Sequence, residues 1–87
     1  MGRLSRSVYK TYVILRRERK ADIWSLSKIR GLSKYQLYRH LKILRLTGAV
    51  EMSREGRKVF YNHSKNLTYS HLLTTVKRLR RQSRARS

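Results

Sequence analysis

Apolar residues recur at helical spacing in four stretches of the chain, and each stretch predicts an amphipathic helix. The predicted helices cover about residues 5–19, 22–30, 33–47 and 67–80. The apolar face of the first helix is wider than a single packing partner requires. This width indicates that the first helix has a second partner.

The second and third predicted helices are joined by a tight connection. Asp22 and Ser33 are suited to cap them, because a carboxylate or hydroxyl can accept hydrogen bonds from the first-turn amides. Gly31 and Gly48 follow the two helices, where a left-handed backbone favours glycine. A link of only Gly-Leu-Ser is typical of a helix-turn-helix. The residues of the second helix predicted to pack inward are Ile23, Leu26 and Ile29, with Trp24 beside them.

Two short strands are predicted between the third and the last helix. Residues 50–52 alternate apolar and polar side chains, and residues 59–61 are β-branched and aromatic. The charged segment 53–58 contains Gly56 and predicts the hairpin turn between them. Because two strands alone are marginally stable in water, this hairpin must pack against the helices.

This order of elements predicts an α+β, mostly helical fold of the winged helix-turn-helix type. It has a three-helix core, a two-stranded β-hairpin wing and an extra C-terminal helix. Residues 1–66 are assigned to the winged domain, 67–80 to an amphipathic helix that dimerises, and 81–87 to a basic disordered tail.

Residues 26–51 resemble the DNA-reading segment of ArsR-like and MarR-like winged-helix regulators. In those families a Gly-Leu-Ser turn opens the recognition helix, as residues 31–33 do here. An Arg-His-Leu-x-x-Leu stripe follows at 39–44, and Gly with a small apolar pair leads into the wing at 48–50. The resemblance implies a DNA-binding regulator. The chain departs from the Cys-based metal sensors of the ArsR-like group, since it has no Cys.

Charge points to the class of partner. The chain has 23 Lys and Arg against 4 Asp and Glu, a net charge of +19. Such self-repulsion destabilises a free protein, and a polyanion relieves it through phosphate contacts that release counterions. Nucleic acid is therefore the predicted partner, with an anionic membrane surface as the alternative. The basic residues are spread over all elements rather than one helix, which argues against the membrane.

The outward face of the third helix carries the candidate DNA contacts. With Leu37, Leu41 and Leu44 turned inward, the polar and aromatic positions between them face out. Gln36 can pair bidentately with adenine and Arg39 with guanine in the major groove. The alternative is an ordinary solvated face. The predicted recognition-helix contacts are Ser33, Lys34, Tyr35, Gln36, Tyr38, Arg39 and Lys42.

The hairpin tip carries a second set of candidate contacts. Arg54, Arg57 and Lys58 are predicted to reach a minor groove or flanking phosphates. The alternative is a charged edge that prevents the strands from aggregating. The arginine-rich tail and the basic face of the first helix are expected to add sequence-independent phosphate contacts.

The wide apolar face of the first helix and the apolar stripe of the last predict a homodimer. Helix-turn-helix proteins often pair so that two recognition helices reach successive major grooves. The alternative is that the last helix packs on its own domain. The predicted dimer contacts are Val8, Tyr12, Leu15, Tyr69, Leu72, Leu73, Val76 and Leu79.

The sequence predicts neither an enzyme nor a metal site, and no cofactor. Cys is absent, and His63 and His71 are too far apart for a one-face helical pair. His40 lies at the edge of the core stripe of the third helix, where it packs or lies near phosphate. The four acidic residues form no paired carboxylate, and the chain has no nucleophile–base pair or phosphate-binding glycine loop.

Together these features predict a sequence-specific regulator of transcription that binds double-stranded DNA as a homodimeric repressor. No apolar run approaches the roughly 20 residues that span a bilayer, which favours a cytoplasmic protein associated with the nucleoid when bound. The main alternative is an architectural, nucleoid-type protein that coats DNA without choosing sequence. An RNA-associated winged helix is another. A Z-DNA-binding winged helix is disfavoured, since that family has a Pro-containing wing and this chain has no Pro.

Overall fold

The computed structural model describes residues 3–85 and confirms the α+β winged-helix fold, with four helices and one antiparallel sheet. Within this part of the chain, no helix combines the length and the apolar character needed to cross a membrane. The elements are α1 (Arg3–Glu18), β1 (Lys20–Asp22), α2 (Ile23–Arg30), α3 (Lys34–Thr47), β2 (Val50–Glu55), β3 (Lys58–His63) and α4 (Tyr69–Ala85).

The caps of the helix-turn-helix are those predicted from the sequence. Asp22 accepts a hydrogen bond from the Ser25 amide at the start of α2. The Ser33 hydroxyl accepts from the Gln36 amide and the Gln36 side chain accepts from the Ser33 amide, both at 3.2 Å, which forms a capping box at the start of α3. Gly31, with φ 66°, ends α2 in the left-handed region that glycine adopts without steric penalty. These caps fix the start of α3 relative to α2.

The sheet has a third strand that the sequence did not predict. Its order is β1-β3-β2, and β1 pairs with β3 from Lys20 opposite Asn62 to Asp22 opposite Phe60. The two strands of the wing are also longer than predicted. Arg19 joins α1 to β1 with φ 70°, so a non-glycine residue adopts the left-handed turn there. The base of the wing is therefore paired to the α1–α2 connection.

The apolar face of α1 is covered within one chain by α3, α4 and β3. Val8, Tyr12, Leu15, Leu72 and Val76 are consequently buried in the core of the single chain. The prediction that these five residues form dimer contacts is wrong, because their side chains already pack inside one subunit. The predicted dimer residues that keep partial exposure are Tyr69, Leu73 and Leu79.

Two residues of α2 that the sequence assigned to the core lie on the surface. Ile23 and Leu26 are buried as predicted, but Trp24 is 65 % exposed and Ile29 is 44 % exposed. A helix of eight residues makes two turns, and only one narrow side of α2 meets α3 and the sheet. Trp24 is therefore available at the surface.

The last helix extends beyond its predicted end. α4 continues to Ala85, whereas the sequence predicted a disordered tail from Arg81. No glycine or proline interrupts the chain there, and arginine is a good helix former. Residues 86 and 87 of the predicted tail lie outside the described residues, as do residues 1 and 2.

Candidate nucleic-acid interface

α3 turns one side to the core and the opposite side to solvent. Leu37, Leu41 and Leu44 are buried, as the apolar spacing predicted. On the outer side Tyr35 is 83 % exposed and Tyr38 is 50 % exposed. The predicted contacts on the surface of α3 and its cap are Ser33, Lys34, Tyr35, Gln36, Tyr38, Arg39 and Lys42, of which only Lys34 is half-buried.

Gln36 is less free to contact a base than its exposure indicates. Its amide oxygen accepts hydrogen bonds from both the backbone amide and the hydroxyl of Ser33, each at 3.2 Å. Bidentate pairing with adenine uses both the oxygen and the amino group of glutamine. Such a contact would therefore require the capping box to open, at a cost of about 1 kcal/mol.

Trp24 extends this surface beyond α3, and the sequence interpretation missed it. The Lys34 ammonium lies 2.9 Å from the centroid of the Trp24 ring, a cation–π contact that joins α2 to the first turn of α3. One sequence signal could have indicated that Trp24 is exposed. The α2 helix has only eight residues, and so short a helix has few positions that face the core. The exposed surface therefore carries three large aromatic side chains, Trp24, Tyr35 and Tyr38.

The wing brings cations to the same side of the molecule. Arg57 and Lys58 line one cavity together with Trp24 and Tyr38, so the structure places these four residues side by side. Arg54 is exposed on the wing but does not line this cavity. The wing is fixed at its base by β1 and, nearer the tip, by an ion pair between Lys20 and Glu55. The arrangement presents positive charge and aromatic rings on one continuous surface.

A buried polar network fixes α3 to α1 and α2. Nδ1 of His40 lies 3.0 Å from the Thr11 hydroxyl, to which Arg30 donates at 3.2 Å. Arg30 also donates to the Ser7 hydroxyl at 2.9 Å. Burial, together with the positive charges of Arg30 and Arg39, lowers the pKa of His40 from 6.5 to about 4. His40 is therefore neutral near pH 7 and serves to position α3.

Acidification is expected to destabilise the fold through His40. Because its folded-state pKa lies below its unfolded-state value, protonation favours the unfolded chain as the pH falls through 6.5 towards 4. Between about pH 7.5 and pH 5 the free energy of unfolding should fall by an amount on the order of 2 kcal/mol. Urea unfolding at each pH measures this change. The His40→Gln variant should lose less than the parent over this interval, and exposed His71→Gln is the matched control. An identical loss in His40→Gln would contradict this assignment.

The other histidines and the acidic residues do not gather into a metal site. In the span from residue 3 to residue 85, no three His, Asp or Glu side chains lie close enough to hold a metal ion. Nε2 of His63 lies 3.3 Å from the Tyr12 hydroxyl, which itself accepts from the Leu67 amide at 2.9 Å. His63 therefore belongs to the packing between α1 and the segment that leads into α4.

Comparison with known proteins supports the regulator class. No protein-family model and no curated protein match the sequence. Among solved structures, HlyU from Vibrio cholerae N16961 is similar, with a TM-score of 0.56 and 27 % sequence identity, over 82 % of this chain and 74 % of that chain. HlyU is a winged-helix transcription regulator of the ArsR/SmtB family rather than an enzyme. This similarity supports a winged helix-turn-helix regulator.

Proposed function

Starting from the similarity to a winged-helix regulator, we propose that this chain binds double-stranded DNA in a sequence-specific manner and regulates transcription. The observation that supports this most directly is the outer side of α3. Tyr35, Tyr38 and Arg39 project from a helix that is anchored in the core by its leucines. An α-helix fits the major groove, where base edges present a readable pattern of donors and acceptors.

The wing and the overall charge account for the part of the affinity that does not depend on sequence. Arg57 and Lys58 lie on the same side as Tyr38 and can contact the phosphates that flank the groove entered by α3. With a net charge of +19, the chain is expected to release many counterions from DNA. Binding should therefore weaken steeply as salt is added.

The proposal also includes the oligomeric state and the direction of regulation: the chain acts as a homodimer and represses transcription. Tyr69, Leu73 and Leu79 keep partial exposure on α4, and two copies joined there would present two α3 helices to successive major grooves. A dimer bound across an operator would block polymerase, in the cytoplasm and on the nucleoid. Sedimentation at micromolar concentration, with and without duplex DNA, should detect the dimer. Monomers alone in both experiments would remove this part of the proposal.

Competition binding at physiological salt tests the sequence-specific function. Duplexes selected from a random library should bind about 10³-fold or more tightly than random DNA. Equal affinities would favour the architectural, nucleoid-type alternative, and preference for structured RNA would favour the RNA-associated one. If no duplex binds even in dilute buffer, DNA is not the partner.

Removal of the wing cations should flatten the salt dependence of DNA binding. Each phosphate contact contributes about 0.9 to the slope of log K against log salt, so the double variant Arg57→Ala/Lys58→Ala should lower the slope by roughly 1.8. Titrations of one duplex at several salt concentrations measure it. Lys77→Ala removes an exposed cation from α4 that is not among the predicted DNA contacts, and it is the matched control. An unchanged slope in the double variant would contradict wing contact.

A further inference from the structure

A cavity of about 500 Å³ opens between the start of α2, the first half of α3 and the wing, where its lining runs from Arg57 at the tip to Tyr61 on β3. Its volume falls within the roughly 300–1,000 Å³ typical of sites for small organic groups. The sequence analysis predicted Tyr38, Arg57 and Lys58 as separate DNA contacts and did not predict a cavity between them. The lining includes three aromatic side chains, two cations and one carboxylate: Trp24, Tyr38, Tyr61, Arg57, Lys58 and Asp22.

The exposure of Trp24 is the unusual feature of this cavity. An indole ring offers a large apolar area and is highly buried in most proteins, yet Trp24 is 65 % exposed. The Lys34 ammonium lies over the Trp24 ring, and Lys34 is not among the residues that line the cavity. Tyr38, half-exposed on α3, lines the same space. Two rings from different helices are thus open to one occupant.

The chemistry of the lining favours a planar, uncharged group with an anion beside it. Aromatic side chains stack on nucleobases of every type, because each base has a π-face. The Asp22 carboxylate in the lining disfavours a bare anion inside the cavity. Arg57 and Lys58 can hold a phosphate attached to the bound group.

We propose that this cavity binds one unpaired nucleobase of the DNA on which α3 lies, with the phosphate of that nucleotide on Arg57 and Lys58. The inference rests on the proposed function, because α3 must first lie on the duplex. A paired base must break its pair and unstack to leave the helix, whereas a bulged base is already free of its partner. The protein therefore prefers duplexes with an unpaired base over fully paired ones.

Trp24 is the chain's single tryptophan, so the tryptophan fluorescence of the protein comes from one residue of the cavity lining. Three labelled duplexes of one sequence serve as probes: fully paired, with a single-nucleotide bulge, and with the same bulge lacking its base. We expect the bulged base to bind roughly 5- to 100-fold more tightly than the abasic bulge and to quench Trp24 fluorescence. The abasic bulge distorts the backbone in a similar way, so the ratio isolates the base.

Substitutions of Trp24 then assign the preference to the cavity. By anisotropy of the labelled DNA, Trp24→Ala should bring the ratio of the two bulge affinities close to one, and Trp24→Phe should retain part of it. Ile29→Ala, at an exposed apolar position of α2 outside the cavity, should keep the parent ratio.

The possible results separate this inference from the function on which it rests. Equal affinities for the two bulges, unchanged Trp24 fluorescence, or a preference that persists in Trp24→Ala would each overturn the cavity assignment. If the fully paired duplex binds while the preference is absent, only the cavity assignment fails. If no duplex binds at all, the proposed function fails as well.

Discussion

Leu41→Ala is expected to lower the free energy of unfolding by about 2–5 kcal/mol, whereas Leu46→Ala should change it by less than about 0.5 kcal/mol. Both leucines lie on α3, but Leu41 is 1 % exposed and Leu46 is 58 % exposed. Truncation of Leu41 removes apolar contacts and leaves a cavity where α3 meets the core. Truncation of Leu46 removes a side chain that is mostly in water. Urea unfolding of the two variants beside the parent measures both changes.

The two leucine variants also test which side of α3 faces the core and which side faces solvent. A small domain has a total free energy of unfolding of only about 5–15 kcal/mol, so the Leu41 variant should be partly unfolded under mild conditions. Similar losses in the two variants would contradict the burial of Leu41 beside an open Leu46. In that case the outward direction of Tyr35 and Arg39 would also be wrong, and the proposed DNA-reading surface with it.

Arg39→Ala should weaken binding to a selected duplex by roughly 5- to 100-fold and should affect random DNA much less. A bidentate contact from arginine to guanine contributes about 1–3 kcal/mol of discrimination against the wrong base. A contact to phosphate would contribute equally on every sequence. Arg39 is exposed on α3, so the variant should remain folded. Anisotropy titrations of the selected and a random duplex, at one salt concentration, give the two losses.

Lys77→Ala is the matched control for Arg39→Ala, since it removes one exposed positive charge from another helix. It should change the two affinities by similar, small factors. If Arg39→Ala weakens selected and random duplexes by the same factor, Arg39 contacts phosphate, and sequence discrimination must come from other residues of α3.

The sequence predicted the recognition segment closely because its signals are local. A capping residue acts on amides within its own first turn, and a left-handed glycine ends the helix directly before it. Ser33 therefore caps the start of α3 and Gly48 its end, as the sequence predicted. The inward direction of Leu37 and Leu41 follows equally from helical spacing alone.

The remaining features depend on partners that are distant in the chain. β1 has only three residues, too few to show a strand alternation, and it exists because β3 pairs with it. The left-handed turn before β1 falls on Arg19, where no glycine marks it. The wide apolar face of α1 indicated a second partner correctly, but the sequence could not show that α4 and β3 of the same chain cover it.

The attachment of the wing through β1 bears on how the protein would respond to torsional stress in DNA. β1 pairs with β3 on one side and leads directly into the Asp22 cap of α2 on the other. The wing therefore cannot swing away from α3 without breaking strand pairing. Under the proposed function, α3 binds a groove and the wing binds the adjoining backbone of the same duplex. The distance between that groove and that backbone must then match the fixed distance between α3 and the wing, and helical twist determines it. Supercoiling alters that twist, so occupancy of an operator would follow the superhelical density of the chromosome.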